Sequence, residues 1–387
     1  MPSSIKQYIQ ISGEYYTTYT LLKKLNERGV KVYNKNLSLL KSEYENYYSK
    51  YIEPQLNSAT TKEIKWNNQI KTLADELVDK LIYDLNNLYD FDTIKIKIYN
   101  SGASHLVTDK EDLCIEIYDN RDNKIIDTYK CSLKLYEKIS KTVQLASGTY
   151  ISTVCGLAFD TNGVGRYVTP DGVNFTSRNF DHLVKQWVKT YGTDVSDSLY
   201  QMKKLDDIIK PVQSKEYMGD LKWKELCYSV GEVGAKCFDQ ILTIVYNKNP
   251  QNFRNRFLER IGFTGKDEIL IAGYNSGKFF IFTTIGNEAA KDRIGELQSE
   301  DNDYVFSSTV GKQGGYSFKL SIENKGKTLI ETKTPLTINK NGCWWSERSV
   351  NHKKNINNLP VGSPREDKQE IATSTNCYVN IEKIING

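Results

Sequence analysis

Across residues 14–90 apolar positions recur at helical steps and are interleaved with Lys, Glu and Tyr. Leu21, Leu22 and Leu25 are followed by Leu37, Leu39 and Leu40. The clearest predicted helix runs from Thr60 to Leu88. There Ile64, Ile70, Leu73, Leu77, Leu81 and Leu85 fall on one stripe, with Trp66 near the start and Thr61-Lys-Glu-Ile as a start signal. The pattern changes at Asp92. Thr93-Ile-Lys-Ile-Lys-Ile-Tyr99 alternates strictly, as a strand with one buried face does. Asp112 to Tyr118 is a second strand, Asp119-Asn-Arg-Asp-Asn123 a turn, and Lys124 to Leu135 a third strand. A helix is expected from Glu137 to Phe159, on the strength of Ile139, Val143, Leu145, Ile151, Val154 and Leu157.

Further along, helices are expected around His182–Thr190, over 221–247 and over 252–261. Strand signals return at Ile269–Ala272, Lys278–Thr284, Tyr316–Ile322 and Thr328–Thr334. Gly311-Lys-Gln-Gly-Gly315 and Asn324-Lys-Gly-Lys327 read as hairpin turns. The last 45 residues are rich in Asn, Lys and Ser and show little periodicity. The pattern divides the chain into an N-terminal helical region (1–59), a central α/β region with a helical insertion (60–265) and a β-rich C-terminal region (266–387).

Composition narrows the class without naming an activity. The 387 residues are long enough for a sizeable core. Mean hydropathy is −0.54, and no apolar run approaches the roughly 18 residues of a membrane span. A net charge of +4 permits a polyanionic partner without arguing for one. The seven cysteines are widely spaced, no C-x-x-C pair occurs, and the three histidines lie far from any cysteine pair. A structural zinc site is therefore not expected, and with no apolar signal core at the N-terminus a reducing, cytoplasmic compartment is expected.

The chemistry concentrates between Asp92 and Leu135. With the turn centred near residue 121, Asp112 lies opposite roughly 131–134, and Ser132 and Lys134 share a face. A carboxylate at the start of one strand then meets an ammonium near the end of its neighbour. Lys134 is flanked by Leu133 and Leu135, so its charge must be aimed at a partner. Asp112 and Lys134 would also suit a plain cross-strand ion pair. Asn162-Gly-Val-Gly-Arg166 matches neither the P-loop nor the dinucleotide pattern. Trp344-Trp345 suits core burial, and Lys312, Lys319, Lys325, Lys327, Lys353 and Lys354 suit solvated charge or a DNA cradle. His182 reads as an ordinary helix residue.

The stretch Gly102 … Glu111-Asp-Leu-Cys-Ile-Glu-Ile … Cys131-Ser-Leu-Lys-Leu-Tyr136, preceded by a helix and followed by Gln144, resembles the PD-(D/E)xK nuclease superfamily, the fold of many type II restriction endonucleases. The resemblance covers about 60–160. It implies a restriction-endonuclease-like mixed central sheet flanked by helices. It also implies Mg²⁺-dependent, sequence-specific hydrolysis of double-stranded DNA, and a homodimer suited to a palindrome. In that scheme Asp112 and the Leu133 carbonyl hold the metal, Lys134 activates water and stabilises the transition state, and Gln144 positions water or contacts the DNA backbone. The chain departs from the motif at Ser132, where the superfamily usually has an acid. Another carboxylate must complete the site, with Glu76 as first candidate and Glu116, on the strand face of Asp112, as second. A non-catalytic DNA-binding or structural protein, and a repair- or RNA-directed nuclease of the same fold, are the alternatives.

Overall fold

The computed structural model describes residues 5–33, 35–100, 112–139, 142–149, 157, 180–201, 236–237, 239–261, 263, 267–310, 316–335 and 374–386. Gly102, Glu111, the Asn162–Arg166 loop, Gly311–Gly315, Trp344-Trp345, Lys353-Lys354 and all of 221–235 lie outside them, as does the side chain of His182. The protein is a mixed α/β chain with a helix-flanked mixed sheet and more strands toward the C-terminus. Among the described residues no helix is long and apolar enough to cross a membrane.

The chain divides into two compact units. The first takes residues 1–143, 262–296 and 381–387, and the second takes 144–261 and 297–380. These boundaries differ from three consecutive regions cut at 59/60 and 265/266. The reason is a strand pair that spans more than a hundred residues of sequence.

In the first unit, α1 (Ile5–Glu27), α2 (Asn36–Tyr51), α3 (Glu53–Leu56) and α4 (Thr61–Leu88) precede β2 (Ile94–Tyr99), β3 (Leu113–Asp119) and β4 (Ile125–Tyr136). The short β1 (Lys31–Val32) lies between α1 and α2. The sheet runs β1-β2-β3-β4-β6-β7, with β6 (Asp267–Asn275) and β7 (Lys278–Thr283) arriving from far along the chain. The β2–β3–β4 meander is antiparallel, as its alternation requires, whereas β4 pairs with β6 in parallel. Ile94, Ile96, Ile98, Leu113, Ile115, Ile117, Leu133 and Leu135 meet Leu21, Leu22, Leu25 of α1 and Leu73, Leu77, Leu81 of α4 in one core. Thr60 rather than Thr61 caps α4, in a reciprocal capping box with Glu63. Tyrosines join α1 to α2: Tyr8 stacks on Tyr51 and Tyr15 on Tyr47, with centroids 5.4 and 5.0 Å apart.

In the second unit the sheet order is β5-β11-β10-β9-β8. Its strands are β5 (Thr142–Thr149), β8 (Asp303–Val310), β9 (Tyr316–Asn324), β10 (Lys327–Pro335) and β11 (Ser374–Asn380). The expected helix over Glu137–Phe159 is corrected here, because Thr142–Thr149 forms a strand. Its β-branched ends, Thr142-Val143 and Thr149, suit extended backbone, and its neighbour β11 is remote in sequence. The turn at Lys325-Gly326 takes positive φ at both residues, as a tight hairpin demands.

Candidate active site

The site is built where β3 stops and β4 continues. The last paired rung between them is Leu113 with Cys131, while β4 goes on beside β6 as far as Tyr136 with Gly273. Asp112 occupies the end of the shorter strand. Its N–H donates to the Cys131 carbonyl at 2.9 Å, and its Oδ2 accepts the Leu133 N–H at 2.6 Å. A carboxylate thus replaces the next rung of the ladder. The N–H and C=O of one strand residue point to the same side, so the Leu133 carbonyl faces the same opening. Lys134 Nζ lies 3.8 Å from Asp112 Oδ2. The register puts Asp112 across from Ser132, on the sheet face that Ser132 shares with Lys134, as the hairpin geometry anticipated.

Glu14 of α1 joins them. Its carboxyl feels the charges of both Asp112 and Lys134. Burial first, then the Asp112 carboxylate, push it up to about 8, against the relieving charge of Lys134. Its carboxylate accepts no hydrogen bond from a described residue, although Asp112 is engaged by Leu133. What brings the helix close is Gly13. A Cβ there would sit 2.5 Å from Ile70 Cδ1 and 2.9 Å from Leu135 Cδ1. Only glycine lets α1 approach α4 and β4 this closely.

A nearby cation favours an ionised carboxylate, but at Asp112 it does not set the net direction. Burial outweighs the Lys134 charge and the Leu133 hydrogen bond, so its carboxyl lies above the usual range. The charge of Lys134 thus acts against the burial of both carboxyls.

The remaining sequence candidates are placed elsewhere or apart. Glu76 is exposed on α4, where its charge reaches Tyr274 of β6. Glu116 does lie on the Asp112 face of β3, but its carboxylate is taken up by Lys97 at 3.1 Å, Tyr99 at 3.2 Å and Tyr118 at 2.7 Å. Gln144 is on β5 in the second unit, not on a helix following β4. Glu14 went unnoticed because α1 shows no clean apolar stripe: Ser12, Thr17, Thr18 and Thr20 are all buried. One signal was available. Glu14 is the sole charged residue between Lys6 and Lys23, and it follows a mid-helix glycine.

Among the described residues no group of three or more His, Cys, Asp or Glu side chains could hold a metal ion. Glu14, Asp112 and the Leu133 carbonyl form an all-oxygen donor set of two carboxylates and one carbonyl. That suits Mg²⁺, which keeps several waters and needs only one or two protein carboxylates. Set against protein-family models and against curated proteins, the chain matches none of them.

Proposed function

We propose that the chain is a Mg²⁺-dependent endonuclease acting on double-stranded DNA, with Glu14, Asp112 and Lys134 as its working residues. The observation that carries the reading is that two carboxyls and an ammonium act on one another at the end of β3. A cross-strand ion pair accounts for Asp112 and Lys134. It does not account for a second carboxyl, Glu14, that is subject to both of their charges and has no hydrogen-bond donor of its own among the described residues.

Glu14, Asp112 and the Leu133 carbonyl would hold the ion, and Ser132 leaves the usual third-acid position to Glu14. When bound, Mg²⁺ supplies positive charge against the scissile phosphate and makes water more acidic. The Leu133 N–H fixes the Asp112 carboxylate by a hydrogen bond, so its orientation is set before substrate arrives. Lys134 is rooted between two core leucines, which aims its ammonium at the opening. There it orients the attacking water and stabilises charge developing on the phosphoryl oxygens. Water oxygen bonds to phosphorus as the bond to the leaving sugar oxygen breaks; the water proton passes to solvent, and the leaving oxygen takes a proton from solvent. Sequence specificity and a homodimer that cuts both strands belong to the same proposal, as does an intracellular setting.

Plasmid or phage DNA incubated with the protein and Mg²⁺ tests it. The wild type should cleave, and discrete bands would mark a restriction-type enzyme. Asp112→Asn, Glu14→Gln and Lys134→Ala should each lose at least about a hundredfold in rate while DNA binding is largely kept. Cleavage surviving in any of the three removes that residue from the mechanism. Binding without cleavage by the wild type, with Mg²⁺ or Mn²⁺ present, supports the non-catalytic alternative, and preference for single strands or RNA the other.

A further inference from the structure

The two edges of the first sheet are unlike. One is β1, two residues long and bearing the exposed Lys31, the short and charged form that discourages further pairing. The other is β7, which reads Lys278-Phe-Phe-Ile-Phe-Thr283. Ser276 and Gly277, both at positive φ, close the β6–β7 hairpin with a two-residue turn. That turn fixes the register, so that Phe279 stands across from Tyr274 and Ile281 from Ala272. Past Lys278 the strand has no charge, no proline and no bulge against β6. Phe279 is 39% exposed, its ring tilted on Tyr274 with centroids 4.8 Å apart, and Phe280 and Ile281 are half-buried.

Backbone groups along β7 alternate between its two sides. The Thr284 N–H donates to the Ile269 carbonyl at 3.2 Å, so Thr284, Phe282 and Phe280 turn their N–H and C=O toward β6. The Tyr274 carbonyl accepts the Ile139 N–H at 2.8 Å and thus turns away from its β7 neighbour Phe279. Both observations direct the N–H and C=O of Phe279, Ile281 and Thr283 outward. Thr283 is buried, its hydroxyl donating to Asp84. Among the described residues no hydrogen bond ends on the outward groups of Phe279 and Ile281. An apolar strand with such groups free is a template for another strand.

We propose that β7 is the interface of a two-fold dimer, pairing antiparallel with β7 of a second copy into one continuous sheet. A strand can always pair antiparallel with its own copy about a two-fold axis, and one register meets every requirement of this edge. Phe279 opposes Ile281 of the second copy and Ile281 its Phe279, both pairs exchanging N–H···O bonds. Phe280 then meets its own copy on the axis, as an aromatic cross-strand pair. Lys278 stands opposite Phe282 of the second copy, so the two lysines do not oppose each other. A charged partner finds no counter-charge at the pairing positions, whereas an identical strand matches them in length and polarity. The axis is perpendicular to the sheet, so the Asp112 faces of both copies lie on the same side, as cutting both strands of a duplex requires. That last consequence rests on the nuclease reading; the strand pairing does not.

Sedimentation equilibrium of the full chain, without DNA or added metal, tests the interface. The wild type should weigh twice the 44.4 kDa of one chain, and so should Asp112→Asn. Phe279→Lys puts a charge opposite Ile281 of the second copy, and Ile281→Pro removes an outward N–H that β6 does not use. Each should sediment as a monomer. Phe280→Cys sets two thiols across the axis in a non-hydrogen-bonded pair, where Cα atoms lie about 4.5 Å apart, within disulfide range. Mild oxidation should link that variant, and not the wild type, into a dimer on a non-reducing gel. A wild-type monomer at high micromolar concentration overturns the proposal, as does a dimer that survives both edge variants. Should both edge variants fail to fold, absence of the Phe280→Cys cross-link overturns it instead. A β7 dimer that cleaves no DNA would keep the interface and remove the nuclease reading, and cleavage by a monomeric wild type would do the reverse.

Discussion

Glu14 shows how much a single position depends on its neighbour. The carboxylate is delivered to Asp112 and Lys134 because residue 13 has no side chain, and a methyl group there would enter space held by Ile70 and Leu135. Gly13→Ala therefore sets two effects against each other. Alanine gains about 1 kcal/mol of helix propensity. Overpacking costs about 1–3 kcal/mol, because two branched side chains must both give way. Net destabilisation of about 1 kcal/mol is expected in a urea melt, with cleavage falling at least tenfold as Glu14 shifts away from Asp112. Unchanged stability together with unchanged cleavage would mean that α1 is not held at that distance. Glu14→Gln should behave in the opposite sense. Removing one of two crowded carboxylates should leave the metal-free protein no less stable while cleavage is lost, a combination that a purely structural glutamate would not give.

Glu116 is the contrasting residue, a carboxylate with its donors in place. Burial alone would raise its pKa, but hydrogen bonds from Tyr118, Lys97 and Tyr99 and the Lys97 charge outweigh it, and the net direction is down. In the unfolded chain the group would bind a proton near its ordinary pKa of about 4.3. A lowered folded value means the unfolded state binds more protons in the window below that pH, so stability falls as acid is added. Glu116→Gln should cost about 1–3 kcal/mol at pH 7. That difference should shrink as the pH drops below about 4 through the folded pKa. Paired thermal melts of the two proteins from pH 7 downward check it, and a gap that stays constant through the acid range would show that the carboxylate is not ionised against these donors.

Among the elements, those with local logic were legible. The strict alternation at Thr93–Tyr99 and the Asp119–Asn123 turn fix the meander and put Asp112, Ser132 and Lys134 on one face, which is how half the candidate site was found. The stripe of α4 was equally plain, and only its cap was misplaced by one residue. Thr60→Ala removes the side-chain acceptor for the Glu63 N–H and should cost about 1 kcal/mol, with cleavage unaffected because the cap is remote in sequence from the Leu81–Leu85 core turns and touches no site residue. Where pairing is long-range, local pattern failed. β5 finds its partner in β11, more than two hundred residues on, and its Val143 and Leu145 are as compatible with a helix stripe as with a strand. β11, whose partner β10 ends at Pro335, was missed for the same reason, whereas β8 was missed although its partner β9 is the next strand in sequence. Glu14 was missed because α1 buries threonines and serine on a face that reads as solvent-exposed, among them Thr17, whose hydroxyl donates to the Gly13 carbonyl at 2.7 Å.

At the scale of the whole chain, the first unit is assembled from three stretches of sequence, and the parallel pair β4–β6 is what ties the first to the second. Among the described residues, β4 from Ser132 to Tyr136 has no antiparallel rung to β3 and pairs with β6. Leu270 and Ala272 of β6 and Ile285 beyond β7 also lie in the core that holds Leu133 and Leu135. Asp84 of α4 is buried and accepts a hydrogen bond from Thr283 of β7, a further tie between the two stretches. A fragment of residues 1–143 should therefore keep the helical hairpins yet fail to form a native sheet. Its β4 would present an unpaired edge and uncovered leucines, the condition that favours aggregation. Supplying residues 262–296 as a separate peptide should restore dispersed amide signals in a nuclear magnetic resonance spectrum of the mixture, because the missing strands bring both the β4 partner and the core side chains. A fragment that gives a dispersed, monomeric spectrum by itself would show that β6 is dispensable to the sheet. The placement of Lys134 beside Asp112 would then need another cause than the parallel strand that holds β4 in place.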